Sequence, residues 1–217
     1  QCLVYKSALH GHLNLLKCLY GIDIYWNTNA CKSACSSAAL NGHLDCLKYL
    51  YENGCPWSKK TCKNAALNGH LDCLKYLYEN GCSYPNNIMH VVVKNDHVNC
   101  LKYLCENGIS SNYINISSIA SMGSLNCLKY VCEIKDELNN VGTVSAYNMY
   151  SVAANGHLDC LKYLHEIGCD WEPNTDETDE GYEYSFVCNA AALNGHLDCL
   201  KYAHENGCPW NESALGE

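Results

Sequence analysis

Apolar residues in this 217-residue chain fall into columns that return at a fixed register. Seven anchors set the register: Gly11, Gly42, Gly69, Asp96, Gly123, Gly156 and Gly195, spaced 31, 27, 27, 27, 33 and 39 residues apart. Five places after each anchor stands a leucine: Leu16, Leu47, Leu74, Leu101, Leu128, Leu161 and Leu200. Two and eight places after it the residues are again apolar, as in Leu71 and Leu77, and a Cys or Leu stands at the fourth place. Apolar positions at this spacing draw one wide stripe along a helix. Lys follows every one of the seven leucines (Lys17 to Lys201), which predicts a solvated face with the Lys stems lying along their neighbours.

A shorter helix precedes each anchor. Around Gly69 it reads Thr61-Cys62-Lys63-Asn64-Ala65-Ala66-Leu67-Asn68, with Thr61 the expected N-cap and Gly69 the positive-φ stop. Seven places before the anchors come Val4, Cys35, Cys62, Met89, Ile116, Met149 and Cys188, all core types. The longer helices run out at Gly54, Gly81, Gly108 and Gly207. Each unit is therefore helix, tight turn, helix, loop, and no unit can bury its apolar face alone. The predicted fold class is all-α, a solenoid of about seven stacked helix-turn-helix repeats occupying residues 1–217 as one domain.

The words AALNGHLDCLKYLYENGC (Ala65–Cys82) recur almost unchanged at Ala38–Cys55 and Ala191–Cys208. Ala-Ala-x-x-Gly-His-Leu-Asp-x-Leu-Lys-Tyr-Leu-x-x-Asn-Gly-Cys resembles the ankyrin repeat, over essentially the whole chain. Two departures stand out. Thr61-Cys62-Lys63 replaces the family's Thr-Pro-Leu-His opening, and the 27-residue units are about six residues shorter than the usual 33, which places the loss in the inter-repeat hairpin. This short form is similar to arrays common in large DNA viruses and some protists. The resemblance implies a protein–protein interaction scaffold or adaptor without catalytic activity. Its binding surface would be the concave face of the solenoid, formed by the exposed side of the short helices at five, two and one places before the anchor. Those places hold Ser37, Leu40 and Asn41; Asn64, Leu67 and Asn68; Val91, Lys94 and Asn95; Ser118, Ser121 and Met122; and Ser151, Ala154 and Asn155. A structural protein, assembling into a filament or a virion or surface component through the same repeats, is the alternative.

Charge narrows the partners. The net charge is −9 and all 14 basic residues are lysine, so the chain has no arginine with which to clamp phosphates or read guanine. Nucleic acid is not an expected ligand; another protein, or a second copy of this one, is. No apolar run is long enough to span a bilayer.

Eighteen cysteines raise the question of a disulfide framework. Cys46, Cys73, Cys100, Cys127, Cys160 and Cys199 hold one place in successive units. Equivalent places on stacked helices lie roughly 8–10 Å apart, beyond the reach of a disulfide. The expectation is buried thiols in a reducing, intracellular compartment, the cytoplasm of the cell or of a host; a virion or extracellular assembly is the alternative. Asn115-Ile-Ser and Asn211-Glu-Ser match the glycosylation sequon, a match short enough to arise by chance.

His43, His70, His97, His157 and His196 precede the recurrent Cys by three residues on the same helical face. One reading is a zinc-binding pair, the other a first-turn residue beside a core thiol. Two units lack the pair, with Leu15 and Ser124 in its place, and keep every other feature, so no metal or cofactor is expected. Trp26, Trp57, Tyr84, Trp171 and Trp210 all fall fifteen places after an anchor, a register that points to packing over the end of the preceding pair rather than to a ligand cage. Nothing matches a phosphate-binding loop, a zinc-protease helix or a nucleophile elbow.

The one unrepeated stretch is Asp170–Glu183, an inserted segment carrying seven of the 23 acidic residues and no lysine. Two readings fit it: a solvated loop, or an acidic finger for a basic partner; its carboxylates do not have EF-hand spacing. With a 27-residue period the next anchor would fall near position ~222, just past Glu217, and Gln1 leads directly into a first helix. The expectation is that the chain is part of a longer array.

Overall fold

The computed structural model describes residues 2–22, 27–109, 115–135, 142–171 and 187–209. Among the described residues there are fourteen helices and no strand. The chain divides into two compact units, residues 1–107 and 108–217. The first holds α1 (Cys2–Leu9), α2 (Leu13–Gly21), α3 (Thr28–Leu40), α4 (Leu44–Glu52), α5 (Lys59–Leu67), α6 (Leu71–Glu79), α7 (Ile88–Lys94) and α8 (Val98–Glu106). The second holds α9 (Ile116–Ser121), α10 (Leu125–Glu133), α11 (Ala146–Ala154), α12 (Leu158–Glu166), α13 (Val187–Leu193) and α14 (Leu197–Glu205). Within each unit every odd helix packs on the even helix that follows it. Odd helices also stack on odd and even on even, so each unit is a helical solenoid.

The leucine column supplies the core. Leu16, Leu47, Leu74, Leu101, Leu128 and Leu161 are fully buried, and Leu50, Leu77 and Leu104 one turn later are buried with them. Against them the short helices bring small residues such as Ala38, Ala39, Ala65 and Ala66, also fully buried, which lets the helices approach closely.

Both helices of a repeat end in the same way. At the end of α5, Gly69 takes φ +69°, the His70 amide donates to the Ala65 carbonyl (2.9 Å) and the Gly69 amide to Ala66 (3.3 Å). This is the Schellman closure, in which a residue with positive φ returns two orphan carbonyls to use. At the end of α6 the Cys82 amide donates to Leu77 and the Gly81 amide to Tyr78, each at 2.9 Å. Asp96, at φ 54°, is the one non-glycine with positive φ among the described residues, so the anchor column keeps its conformation where the glycine is lost.

The start of α5 differs from the sequence expectation. The N-cap is Ser58, three residues earlier, in a capping box whose other half is the Thr61 hydroxyl accepting from the Ser58 amide (3.3 Å). Thr61 lies inside the helix, fully buried, and shares a hydrogen bond with Ser36 of the preceding repeat (3.1 Å). The sequence cue was missed because the box uses a Thr at its third position rather than the usual Glu or Gln.

Histidine is what ties one repeat to the next. Each ring of the column begins a long helix yet makes no capping bond to it. His43 Nε2 instead donates to the carbonyl of Leu9 (3.1 Å), His70 to Leu40 (3.1 Å) and His97 to Leu67 (3.0 Å). In the second unit His157 donates to Ser121 (3.0 Å) and His196 to Ala154 (3.1 Å). A carbonyl can only accept, so the proton must sit on Nε2. Nδ1 then lies over the preceding anchor: a Cβ on Gly69 would stand 2.6 Å from His97 Nδ1. Anchor and ring therefore need each other's shape. The sequence follows the same pairing, for the anchor that is not glycine, Asp96, precedes the unit in which Ser124 replaces the histidine.

The Lys column is not simply solvated. Lys48 sits over the Tyr76 ring and Lys75 over Tyr103 (5.6 and 5.5 Å), as Lys129 does over Tyr163 and Lys162 over Tyr202 (5.5 and 5.7 Å). Aromatics of the fifteenth place cover the same seam. Trp57 stacks on Tyr51 of its own repeat at 3.7 Å and meets Tyr76 of the next edge-on. Tyr84 stacks on Tyr78 of its own repeat (5.1 Å), and Tyr78 meets Tyr103 of the next edge-on, while Trp171 lies against His165 and Tyr202 and donates to the Asn206 carbonyl (3.1 Å). Trp26 and Trp210 lie outside the described residues.

Two predictions follow from these contacts. Leu74→Ala should cost about 2–5 kcal/mol, because two neighbouring repeats hold the vacated space open. Lys75→Ala should cost about 0.5–1 kcal/mol, the range of an exposed cation–π contact. Urea titration of both variants checks the pair, and equal losses would mean that the helix face is misassigned. Gly69→Ala should lose about 1–2 kcal/mol from its left-handed backbone alone, and more from the collision with His97. In a His97→Ala background that second part should vanish. A double-mutant cycle should therefore return a coupling of at least about 0.5 kcal/mol, with the double variant less damaged than the sum of the singles.

Candidate functional site

The fifteen positions expected to face a partner separate by column. Five places before the anchor the side chains mostly serve packing. Ser37 and Val91 are each only 6% exposed, the Ser37 hydroxyl donating to the Ser33 carbonyl (2.8 Å). Asn64, half-buried, donates to the Ser36 carbonyl of the preceding repeat (3.0 Å). Ser151 is half-buried, and Ser118 alone in this column is exposed. The reason is the stacking of short helix on short helix, which turns this side toward the next repeat.

One place before the anchor, the asparagines are exposed but occupied. Asn41 donates to the Ser37 carbonyl (2.9 Å), Asn95 to Val91 and Asn155 to Ser151 (both 2.8 Å), each closing its own helix end. Asn68 reaches across instead and donates to the Leu40 carbonyl (2.6 Å). Met122 holds the capping place of α9.

Two places before the anchor, the side chains have no such duty. Leu67 is 37% exposed, Lys94 is exposed, and Leu40 and Ala154 are half-buried; Ser121 bonds the Ser118 carbonyl (2.9 Å). The same column contains Leu9 and Leu193, the latter 77% exposed, which the sequence reading did not single out although their register carried the signal. In the first unit Leu9, Leu40 and Leu67 mark one strip, and their carbonyls are the ones that His43, His70 and His97 hold. The backbone under these leucines is thus fixed before any partner arrives.

The chemistry-bearing residues are taken up by structure. Among the described residues no three His, Cys, Asp or Glu converge as a metal site would require. No helix among them is long and apolar enough to cross a membrane. Asn115 is exposed at the N-cap of α9, where its side chain accepts from the Ser117 amide (2.8 Å). Asn211 lies outside the described residues, as does the acidic segment from 172 onward.

The ladder cysteines are buried thiols: Cys46, Cys73, Cys100, Cys127, Cys160 and Cys199 are at most 1% exposed. Outside the ladder, Cys62 and Cys82 are joined in a disulfide. These two belong to one repeat, so the spacing between stacked helices does not keep them apart.

Burial pushes the Cys73 thiol up from 9.0 to about 12, with neighbouring Asp72 adding to it, and the Cys100 thiol up to about 11. The fold thus favours the protonated form. Its contribution is fully present below the unfolded value near 9 and is lost as pH rises toward 11–12. The urea midpoint should hold steady up to about pH 9 and fall beyond it. Tyrosines have their midpoint at about 10, above that of a free thiol, so the decline begins with the thiols. A Cys73→Ala/Cys100→Ala variant should decline less steeply, and a flat wild-type profile would show that the ladder is open to water.

No curated protein sequence matches the chain. A solved structure, the ankyrin repeat domain of human ASB11, matches at 22% identity with a TM-score of 0.44, covering 95% of this chain and 84% of that one. The family model "Ankyrin repeats (3 copies)" matches residues 3–87 and again 63–142. With its repeats in that register over more than half its length, the chain belongs to the ankyrin repeat family.

Proposed function

We propose that the chain is a protein–protein interaction scaffold, an adaptor that binds a partner protein through the exposed ends of its short helices. One observation carries the reading. The column two places before the anchor exposes Leu67 and Leu193, although no packing or capping role requires an apolar residue there. Burying one such leucine is worth roughly 1.5–3 kcal/mol, and a side chain on a pre-ordered backbone loses little further freedom on binding. Lys94 is exposed in this column, and Asn68 and Asn95 in the first compact unit, like Asn155 in the second, lie exposed beside it as the polar surroundings expected around such anchors.

Leu67→Ser and Leu193→Ser remove apolar contact without touching the core, so each should change stability by less than about 0.5 kcal/mol. The combined variant should lose a partner that the wild-type chain retains in affinity capture from the native cell, with circular dichroism unchanged. Identical capture by both proteins would refute this surface. Concentration-dependent polymers in light scattering, abolished by the same substitutions, would assign it to self-assembly and overturn the adaptor reading.

A further inference from the structure

Besides the ladder, cysteine occupies two other columns, and these two meet. Seven places before the anchor stand Cys35, Cys62 and Cys188; thirteen places after it stand Cys55, Cys82, Cys169 and Cys208. Every repeat with Cys at the first place has Cys at the second, always twenty residues on. Where the first place holds Val4, Met89 or Ile116, the second holds Ile24, Ile109 or Asp136. Only the sixth repeat breaks the match, with Met149 opposite Cys169.

The structure gives the reason for the meeting. The second cysteine follows the closing glycine of the long helix, where the Schellman turn folds the chain back: the Cys55, Cys82 and Cys208 amides each donate to a carbonyl five residues earlier at 2.9 Å. That turn carries the side chain over the short helix of the same repeat. Cys62 and Cys82 are joined, with Cα atoms 6.9 Å apart, at the upper edge of the range a disulfide spans. Cys35 Sγ lies 4.0 Å from the Cys55 carbonyl oxygen, and Cys188 Sγ 3.7 Å from that of Cys208; in both pairs the thiols interact. Cys31, one turn before Cys35 on α3, places its sulfur 2.7 Å from that of Cys55. All these residues are buried.

We propose that Cys35/Cys55, Cys62/Cys82 and Cys188/Cys208 are a repeated oxidation site, at which a small-molecule disulfide such as oxidised glutathione converts each pair into a bond that ties a repeat's short helix to the end of its long one. The thiolate of one cysteine attacks the glutathione disulfide and expels one glutathione thiolate. The second cysteine then attacks the protein sulfur of that mixed disulfide and releases the other glutathione. Two protein thiols lose their hydrogens, and the two glutathione sulfurs leave as thiols. In the second repeat Cys31 stands ready as a third thiol for exchange. Because these residues are buried, the reaction proceeds through opening of the loop that carries the second cysteine. The ladder cysteines, which stand one to a repeat on the long helices, stay reduced. Stability of the array then depends on the redox poise around it.

The test is disulfide mapping of the full-length chain, equilibrated over a series of reduced-to-oxidised glutathione ratios, acid-quenched, alkylated and digested. The expected result is linkage of Cys62 to Cys82, of Cys188 to Cys208, and of Cys55 to Cys35 or Cys31, with Cys46, Cys73, Cys100, Cys127, Cys160 and Cys199 alkylated as thiols after unfolding. Met149→Cys should add a fourth link, to Cys169, and give a protein with one more bond per chain at the same ratio. Links mainly between different repeats, or full alkylation of the three pairs at every ratio that oxidises a dithiol control peptide, would overturn the proposal. So would Met149→Cys protein that folds with the wild-type circular dichroism and leaves Cys169 alkylated.

Discussion

A pair of short antiparallel helices has too little interior to bury its own apolar stripe, and the whole chain answers to that constraint. Leu47 and Leu74 reach full burial only because the next pair closes over them, so the contact between repeats is where the stability resides. Hydrophobic contact alone would tolerate sliding. The histidine bond to the preceding carbonyl removes that freedom, since it satisfies a helix-end carbonyl and seats the ring on a glycine that leaves room for nothing larger. Burial supplies the energy and the histidine supplies the register.

Much of this was legible in the sequence. A column of seven leucines at the fifth place after an anchor can only be a buried helix face, and the glycines before it can only be turns. The histidine was harder. Helical periodicity places His70 beside Cys73 on one face, which suggests a ligand pair, but the ring leaves its own helix and bonds Leu40, thirty residues away. Local spacing reports what shares a face, not what lies across a gap. The Asp96 and Ser124 substitutions held the missing information, because they fall together where the other units keep glycine and histidine.

The candidate surface was legible only in part, for a related reason. Positions that differ between units were taken as free to contact a partner, yet Ser37 and Val91 differ and are buried. Those places face a neighbour whose own residues also change, so variation there follows packing. Asn41 and Asn155 recur and are exposed, yet their side chains close helix ends. At Leu67 and Lys94 exposure and variation coincide with side chains that close no helix end, which neither periodicity nor comparison of the units could isolate without the hydrogen bonds.

Cysteine shows how one residue type acquires two chemistries from its place in a repeat. In the ladder the side chain acts as a small apolar residue, buried at Cys46, Cys73, Cys100, Cys127, Cys160 and Cys199, where the first repeat has Leu15 instead, 41% exposed. At the helix-end column the same residue sits at a Schellman turn, where the Cys82 amide donates to the Leu77 carbonyl at the end of α6 (2.9 Å). Because that turn doubles back within the repeat, filling it with a thiol brings the sulfur over the short helix whenever that helix also offers one. Packing therefore suffices to explain either cysteine alone. It does not explain why Cys35, Cys62 and Cys188 occur only where the second cysteine stands opposite, and a bond between them does.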